Sequence, residues 1–308
     1  VTAEELGSLV QAAREGDQDA ELELARAMNG PLQFGTAGLR GEIGAGESRM
    51  NLAVVIRATA GLCAVLLKHA PRTPRVVIGC DARYGSVDFA HAAARVASAA
   101  GCEVLLLPLM NPTPLTAFSV RMVMADGAVY VTADGEALIY LGGRAVDRSR
   151  EGAPASEKDL ARIDEAVAAF ADVAAITRAD GGWEWVGDGM IGAYVDRAAS
   201  RIASLAQGSS APAGVHVDEA SGLLASVLER VGIPVVEAEA GLSLRVPADG
   251  RTLIASLPAE QVRAVLADAA STNPAIPSGT GMYCVDPAFV MDADAISAGA
   301  ALAALTAR

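Results

Sequence analysis

An arginine set among glycines is the strongest chemical feature of this chain. From Leu32 to Asn51 the sequence reads LQFGTAGLRGEIGAGESRMN, with five glycines and few large apolar residues. Such a run suits neither a helix nor a core strand. It suits backbone that must turn tightly or approach a ligand closely. Arg40, flanked by Gly38 and Gly41, presents a planar guanidinium fork matched to phosphate oxygens. Other titratable groups are less promising. His69, His91 and His216 stand alone on predicted helices or a strand, where a structural role is expected. Cys63, Cys80, Cys102 and Cys284 follow no metal or redox spacing and read as buried thiols in a reducing cytoplasm. Asp292 and Asp294 open a predicted C-terminal helix, whose dipole alone accounts for two carboxylates there.

The elements that must position Arg40 follow from periodicity. Asn51 is a predicted cap for a helix through about His69, with Val54, Val55, Ala58, Leu62, Val65 and Leu66 at helical spacing. Arg75–Gly79 (RVVIG) is a short apolar run suited to a buried parallel strand. A helix from about Val87, a strand over Glu103–Leu109 and a helix opened by Asn111-Pro-Thr-Pro114 come next. Gly127–Ala133 is another strand, in which Thr132 reads as an ordinary β-branched residue. Strand and helix alternating with short links predict a doubly wound α/β unit with helices on both faces. Its glycine-rich loop is expected at the carboxyl edge of the strands, where open α/β sheets bind ligands.

Beyond Glu151 the pattern changes. Ser156 and Asp159 form an approximate capping box before an amphipathic helix. Residues 174–189 read as a polar connection, and a helix follows from Ile191. Strands are expected over Gly214–Ala220 and Pro234–Ala240, with a helix between them. A hairpin is expected within Leu242–Leu257, a strand over Met282–Val290 and a helix to the C-terminus. This is a second α/β unit. The whole is therefore read as doubly wound α/β units in tandem with mixed sheets. At 308 residues and 52% hydrophobic, the chain can bury two or three cores. Its net charge of −13 argues against nucleic-acid binding. No stretch reads as a signal peptide or membrane span, since Leu62–Leu67 is short and Lys68 closes it.

Leu32 to Asn51 closely resembles the Phe-Gly-Thr-Ala-Gly-Leu-Arg-Gly signature of the α-D-phosphohexomutases, the phosphoglucomutase and phosphomannomutase family. The likeness continues through Gly44–Gly46 and Arg49–Asn51. Asp81-Ala-Arg83-Tyr-Gly-Ser86 resembles the family's Gly-x-Asp-x-Arg-x-x-Ser turn, with Cys80 where many relatives are polar or basic. Pro277-Ser278-Gly279-Thr280 resembles its Arg-Pro-Ser-Gly-Thr-Glu loop, with Ile276 for the arginine and Gly281 for the glutamate. The resemblance implies that Thr36, Gly38 and Arg40 border the phosphoryl-transfer site. It also implies that Ser278, Gly279 and Thr280 hold a sugar phosphate, and that Mg²⁺ is the cofactor. It covers the first 150 residues well, the next hundred loosely and the last 40 again, and it implies a first domain over residues 1–187, an incomplete second over 188–270 and an incomplete C-terminal one over 271–308.

The departures fall on chemistry. The family's strand into Thr-Ala-Ser-His-Asn-Pro carries its phosphoserine, but here Ala133 passes directly to Asp134. Ala220 likewise passes to Ser221 without a His-Gly-Val-Gly loop. No Asp-x-Asp-x-Asp-Arg metal loop and no Gly-Glu-x-Ser sugar loop occurs. Two functional readings result. In one, the polypeptide is a hexose 1-phosphate/6-phosphate mutase whose mobile loops and third domain lie outside these 308 residues, so its mass exceeds 31.3 kDa. In the other, it is an inactive paralogue that binds sugar phosphates or a protein partner.

Overall fold

The computed structural model describes residues 2–35, 38–69, 71–83, 85–132, 135–141, 152–207, 214–218, 221–237, 242–267, 269, 282–288, 290 and 292–306. Two helices open the chain, α1 (Thr2–Arg14) and α2 (Gln18–Ala27). A two-stranded ribbon follows, β1 (Phe34–Gly35) and β2 (Gly38–Arg40). The expected alternation then appears as α3 (Leu52–His69), β3 (Arg75–Cys80), α4 (Ser86–Ala99), β4 (Glu103–Leu106), α5 (Thr113–Met122) and β5 (Gly127–Thr132). After β6 (Glu136–Leu141), α6 (Glu157–Val167) and β7 (Trp183–Trp185), the first sheet is complete.

Its strand order is β1-β2-β6-β5-β3-β4-β7. Strands β3, β4, β5 and β7 are parallel, β6 returns antiparallel on β5, and β2 is antiparallel to β6. Side chains alternate across a strand, and both faces of this sheet are covered. Val76, Ile78, Val129 and Val131 pack under α3, α4 and α6, while Val77, Ala128 and Tyr130 pack under α5. The doubly wound expectation holds. Asn51 caps α3, its Oδ1 accepting from the Val54 amide at 3.1 Å. Ser156 and Asp159 complete the capping box of α6. By length and apolarity α3 could cross a membrane, which the sequence reading missed, but 56% of it is buried, against α4 and α6 among others.

The second sheet contains β8 (Val215–Val217), β9 (Val235–Val236), β10 (Leu242–Arg245) and β11 (Ile254–Ala255), in the order β11-β10-β8-β9. The expected hairpin is present: β10 and β11 pair antiparallel, Leu244 opposite Ala255. Helices α7 (Gly189–Leu205), α8 (Gly222–Val231), α9 (Ala259–Leu266) and α10 (Ala295–Leu305) accompany this sheet. Every residue of α10 is buried, among α7, α8 and α9. Its alanines and Gly299 let neighbours approach closely.

Three element readings need correction, the first being the glycine-rich run: read as unsuited to a core strand, it gives β1 and β2, and β2 lies within the sheet between β1 and β6 with Leu39 buried. Residues 174–189 are not simply a connection, because Trp183–Trp185 joins the edge of the first sheet beside β4. Three residues between glycines are too few for an alternating pattern to register. No extended strand forms over the described part of Met282–Val290. Arginines of α5 and α7 occupy its backbone instead: Arg201 donates to the Val285 carbonyl, and Arg121 to those of Pro287 and Ala288. Pro287 also lacks the N–H that a ladder requires.

Candidate functional site

The pairing register places Arg40 at the expected edge. In β2, Arg40 stands opposite Glu136 of β6, and Glu136 stands opposite Thr132, the last residue of β5. Since β2 and β5 are both antiparallel to β6, Arg40 ends β2 where the parallel strands end. The Arg40 residue is exposed. Two glycines make this geometry possible. A Cβ on Gly38 would lie 2.1 Å from the Ala137 carbonyl oxygen. Gly135 has φ +84°, and a Cβ there would lie 1.8 Å from the Gly41 carbonyl oxygen. The Gly41 amide donates to the Gly135 carbonyl at 2.9 Å, joining the arginine's loop to the β5–β6 turn.

The rest of the glycine-rich run is tied down by its own polar residues. The Asn51 amide group donates to the carbonyls of Gly44 (3.0 Å), Gly46 (2.8 Å) and Arg49 (3.1 Å). Arg49 pairs with Glu42 within the run and with Glu23 of α2 at 2.6 Å. Met50 is wholly buried. Arg49, Met50 and Asn51 thus fix the loop.

The turn after β3 reaches the same edge. Asp81 is fully buried, accepts from the Ser86 hydroxyl, and pairs with Arg83 at 2.6 Å. This holds the turn against the start of α4. Cys80 beside it is buried, and desolvation raises its thiol pKa, with the nearby Asp81 charge adding to the effect. Cys80 is therefore a neutral thiol at this edge. Tyr130 donates to the Asn111 carbonyl at 2.9 Å, and burial pushes its hydroxyl pKa well up. The Thr113 amide, at the start of α5, donates to the Asp249 carbonyl at 2.8 Å, bringing a loop of the second unit to this edge.

Of the residues singled out by sequence, Gly38 and Arg40 are brought together with the Asp81 turn's strand edge. Thr36, Ser278, Gly279 and Thr280 lie outside the described residues, as do Ala133, Asp134 and Ala220. Thr132 is fully buried in the ladder, as its strand reading required. Asn51 was legible as a cap, but its bonds to the loop carbonyls were not.

The implied Mg²⁺ finds no fit here. Among the described residues no group of three or more His, Cys, Asp or Glu side chains could hold a metal ion. Asp294 accepts from the Ser297 amide at 3.0 Å, the Ser297 hydroxyl at 2.7 Å and the Tyr194 hydroxyl at 2.7 Å. Asp292 accepts from the Ala293 amide at 2.7 Å and faces Arg251 at 3.4 Å. Both carboxylates are engaged at the start of α10, so no metal step is derived from them.

The first unit is an α/β domain with Arg40 at the carboxyl edge of its sheet. Residues 31–172 match the phosphoglucomutase/phosphomannomutase α/β/α domain I. The chain is 34% identical over 141 residues to a phosphoglucomutase of Staphylococcus epidermidis, covering 46% of this chain and 25% of the relative. It is 39% identical over 117 residues to the phosphoribomutase of Saccharomyces cerevisiae, covering 36% of this chain and 18% of the relative. A phosphomannomutase-type structure from Thermus thermophilus superposes with a TM-score of 0.70 at 20% identity, covering 90% of this chain and 80% of that one. A phosphoglucomutase/phosphomannomutase family structure from Burkholderia thailandensis gives 0.61 at 15% identity, over 89% and 76% of the two chains. Over residues 31–172 the chain is similar to the first domain of the phosphoglucomutase/phosphomannomutase family. Its matches to these two curated relatives span a quarter or less of their length.

Proposed function

We propose that the protein interconverts hexose 1-phosphate and hexose 6-phosphate through a bisphosphorylated sugar. The observation that carries this is the placement of Arg40 at the carboxyl edge, level with the β5–β6 turn. The phosphoryl donor would be a phosphoserine in a loop following Ala133 that these 308 residues do not contain. Phosphoryl transfer depends on positioning and charge neutralisation. The guanidinium of Arg40 would hold two phosphoryl oxygens as charge shifts between donor and acceptor. The Gly41–Gly135 hydrogen bond fixes Arg40's strand end to the turn where that loop would be inserted. By the same reading, residues 188–270 form an incomplete second domain and 271–308 an incomplete C-terminal one. There Ser278, Gly279 and Thr280 would grip the phosphate that is not transferred. An Arg40→Ala variant should lose about 2–4 kcal/mol of transition-state stabilisation, the usual loss for one preorganised donor. A coupled mutase assay in which it keeps parental turnover removes Arg40 from the site.

A second reading rests on the β5–β6 ladder. Thr132 pairs with Glu136, so only three residues join the strands. Such a link makes a hairpin but cannot also extend a hydroxyl into a cleft. A polypeptide of 31.3 kDa would then bind sugar phosphates without turnover. Intact-mass measurement separates the two. A heavier chain that retains label from a radioactive sugar bisphosphate supports the mutase. A 31.3 kDa chain that takes up no label supports the binder.

A further inference from the structure

Arg57 lies on α3, six residues beyond the Asn51 cap, and its side chain lines a pocket of about 140 Å³. The floor and walls are apolar: Leu32, Phe34, Leu39, Val54 and Val167. The Arg57 Nε is buried and has no hydrogen-bond partner among the described residues. Glu47 and Asp164 also line the pocket, yet neither forms an ion pair with it. Leaving a buried N–H unsatisfied is unfavourable, and a guanidinium edge in an apolar setting is matched by a planar carboxylate. The volume admits one small organic ion.

We propose that this pocket is a second anion site, taking a small organic carboxylate with a short apolar body. The apolar walls favour such a ligand over bare phosphate, and the guanidinium fixes its carboxylate end. Asp164 and Glu47 set an upper limit on affinity by repelling the same charge. Phe34 and Leu39 are cross-strand partners in the ribbon that ends at Arg40. An occupant of the pocket therefore rests on the back of that ribbon. The site does not depend on the mutase reading.

Benzoate is the probe, with inorganic phosphate as the comparison, followed by calorimetry and by methyl NMR shifts of Leu39 and Val54. Benzoate should bind saturably with Kd on the order of 1 mM, as suits a few polar contacts and a small apolar area. Arg57→Gln should weaken it at least tenfold, Arg57→Lys by less, and Asp164→Asn should tighten it severalfold. Arg40→Ala should leave it unchanged while altering phosphate binding, so loss of the edge site and loss of this one are told apart. Thermal unfolding of each variant confirms that it is folded. Absence of saturable benzoate binding, or equal binding by a folded Arg57→Gln protein, overturns the proposal. So does tighter binding of phosphate than of benzoate at this pocket.

Discussion

One side-chain amide, that of Asn51, both starts α3 and holds the glycine-rich run in shape. Asn51→Ala removes the cap, worth about 1 kcal/mol. It also leaves the carbonyls of Gly44, Gly46 and Arg49 without that donor, each such loss costing about 1–3 kcal/mol if the group stays dry. A clear fall in thermal midpoint is expected, with Asn51→Asp falling between because it restores only the cap. Equal midpoints for Asn51→Ala and the parent would show that the loop does not rely on it. Asp294 makes the opposite kind of prediction. Burial raises its carboxyl pKa, although bonds from Ser297 and Tyr194 pull it back. An acid with a raised folded pKa binds its proton more tightly when folded. Its stabilising contribution is complete below the unfolded value of ~3.9 and is lost as pH rises through the raised value. The stability of the parent relative to Asp294→Asn should therefore decline from about pH 4 upward. Denaturant titrations giving a constant difference across that range would contradict this.

At the scale of elements, the contact between β2 and the β5–β6 turn is governed by backbone clearance. Gly135→Ala forces a side chain into a left-handed conformation and against the Gly41 carbonyl. It should destabilise by more than the ~1 kcal/mol typical of a strained alanine alone. The effect should be largest in hydrogen exchange at the Gly41 amide. Exchange there as slow as in the parent would show that the turn can move aside. Helix α10 is a different case. It is buried all round, so its role is to fill space between α7, α8 and α9. Leu302, fully buried, should cost about 2–5 kcal/mol when cut to alanine. A change within experimental error in a urea titration would mean the surrounding helices collapse onto the void.

At the scale of the molecule, one continuous apolar cluster joins α5 and one face of the first sheet to α7, α8, α10 and the second sheet. Polar contacts reinforce it: Thr113 with Asp249, Arg197 with Asp286, and Arg121 with the carbonyls near Ala288. Gly250 is packed so closely on Pro112 that a Cβ would come within 2.5 Å. The two sheets should therefore unfold together. Both tryptophans belong to the first sheet, while far-ultraviolet dichroism reports helices throughout. Coincident midpoints by fluorescence and dichroism are expected. Separated transitions would make the two units independent.

The parallel strands β3, β4 and β5 were legible because they are continuous apolar runs and the helices between them are periodic over ten residues or more. Glycine spacing around Arg40 was equally plain, since only that composition permits the turns and close approaches found there. Asn51 as a cap and Ser156 with Asp159 as a capping box were local signals, decided within a few residues of chain. Three things required the fold. Strand β7 has three residues, and only the exposed flank of β4 makes it a strand. The segment from Met282 has strand composition, but arginines far away in sequence claim its carbonyls. Arg57 is one more polar position on α3 until β1, β2 and α6 close around it and leave its Nε dry. Local sequence determines what the backbone can adopt, through sterics and short-range hydrogen bonds. Which surfaces meet, and hence which polar groups lose water without gaining a partner, is decided only when distant elements pack.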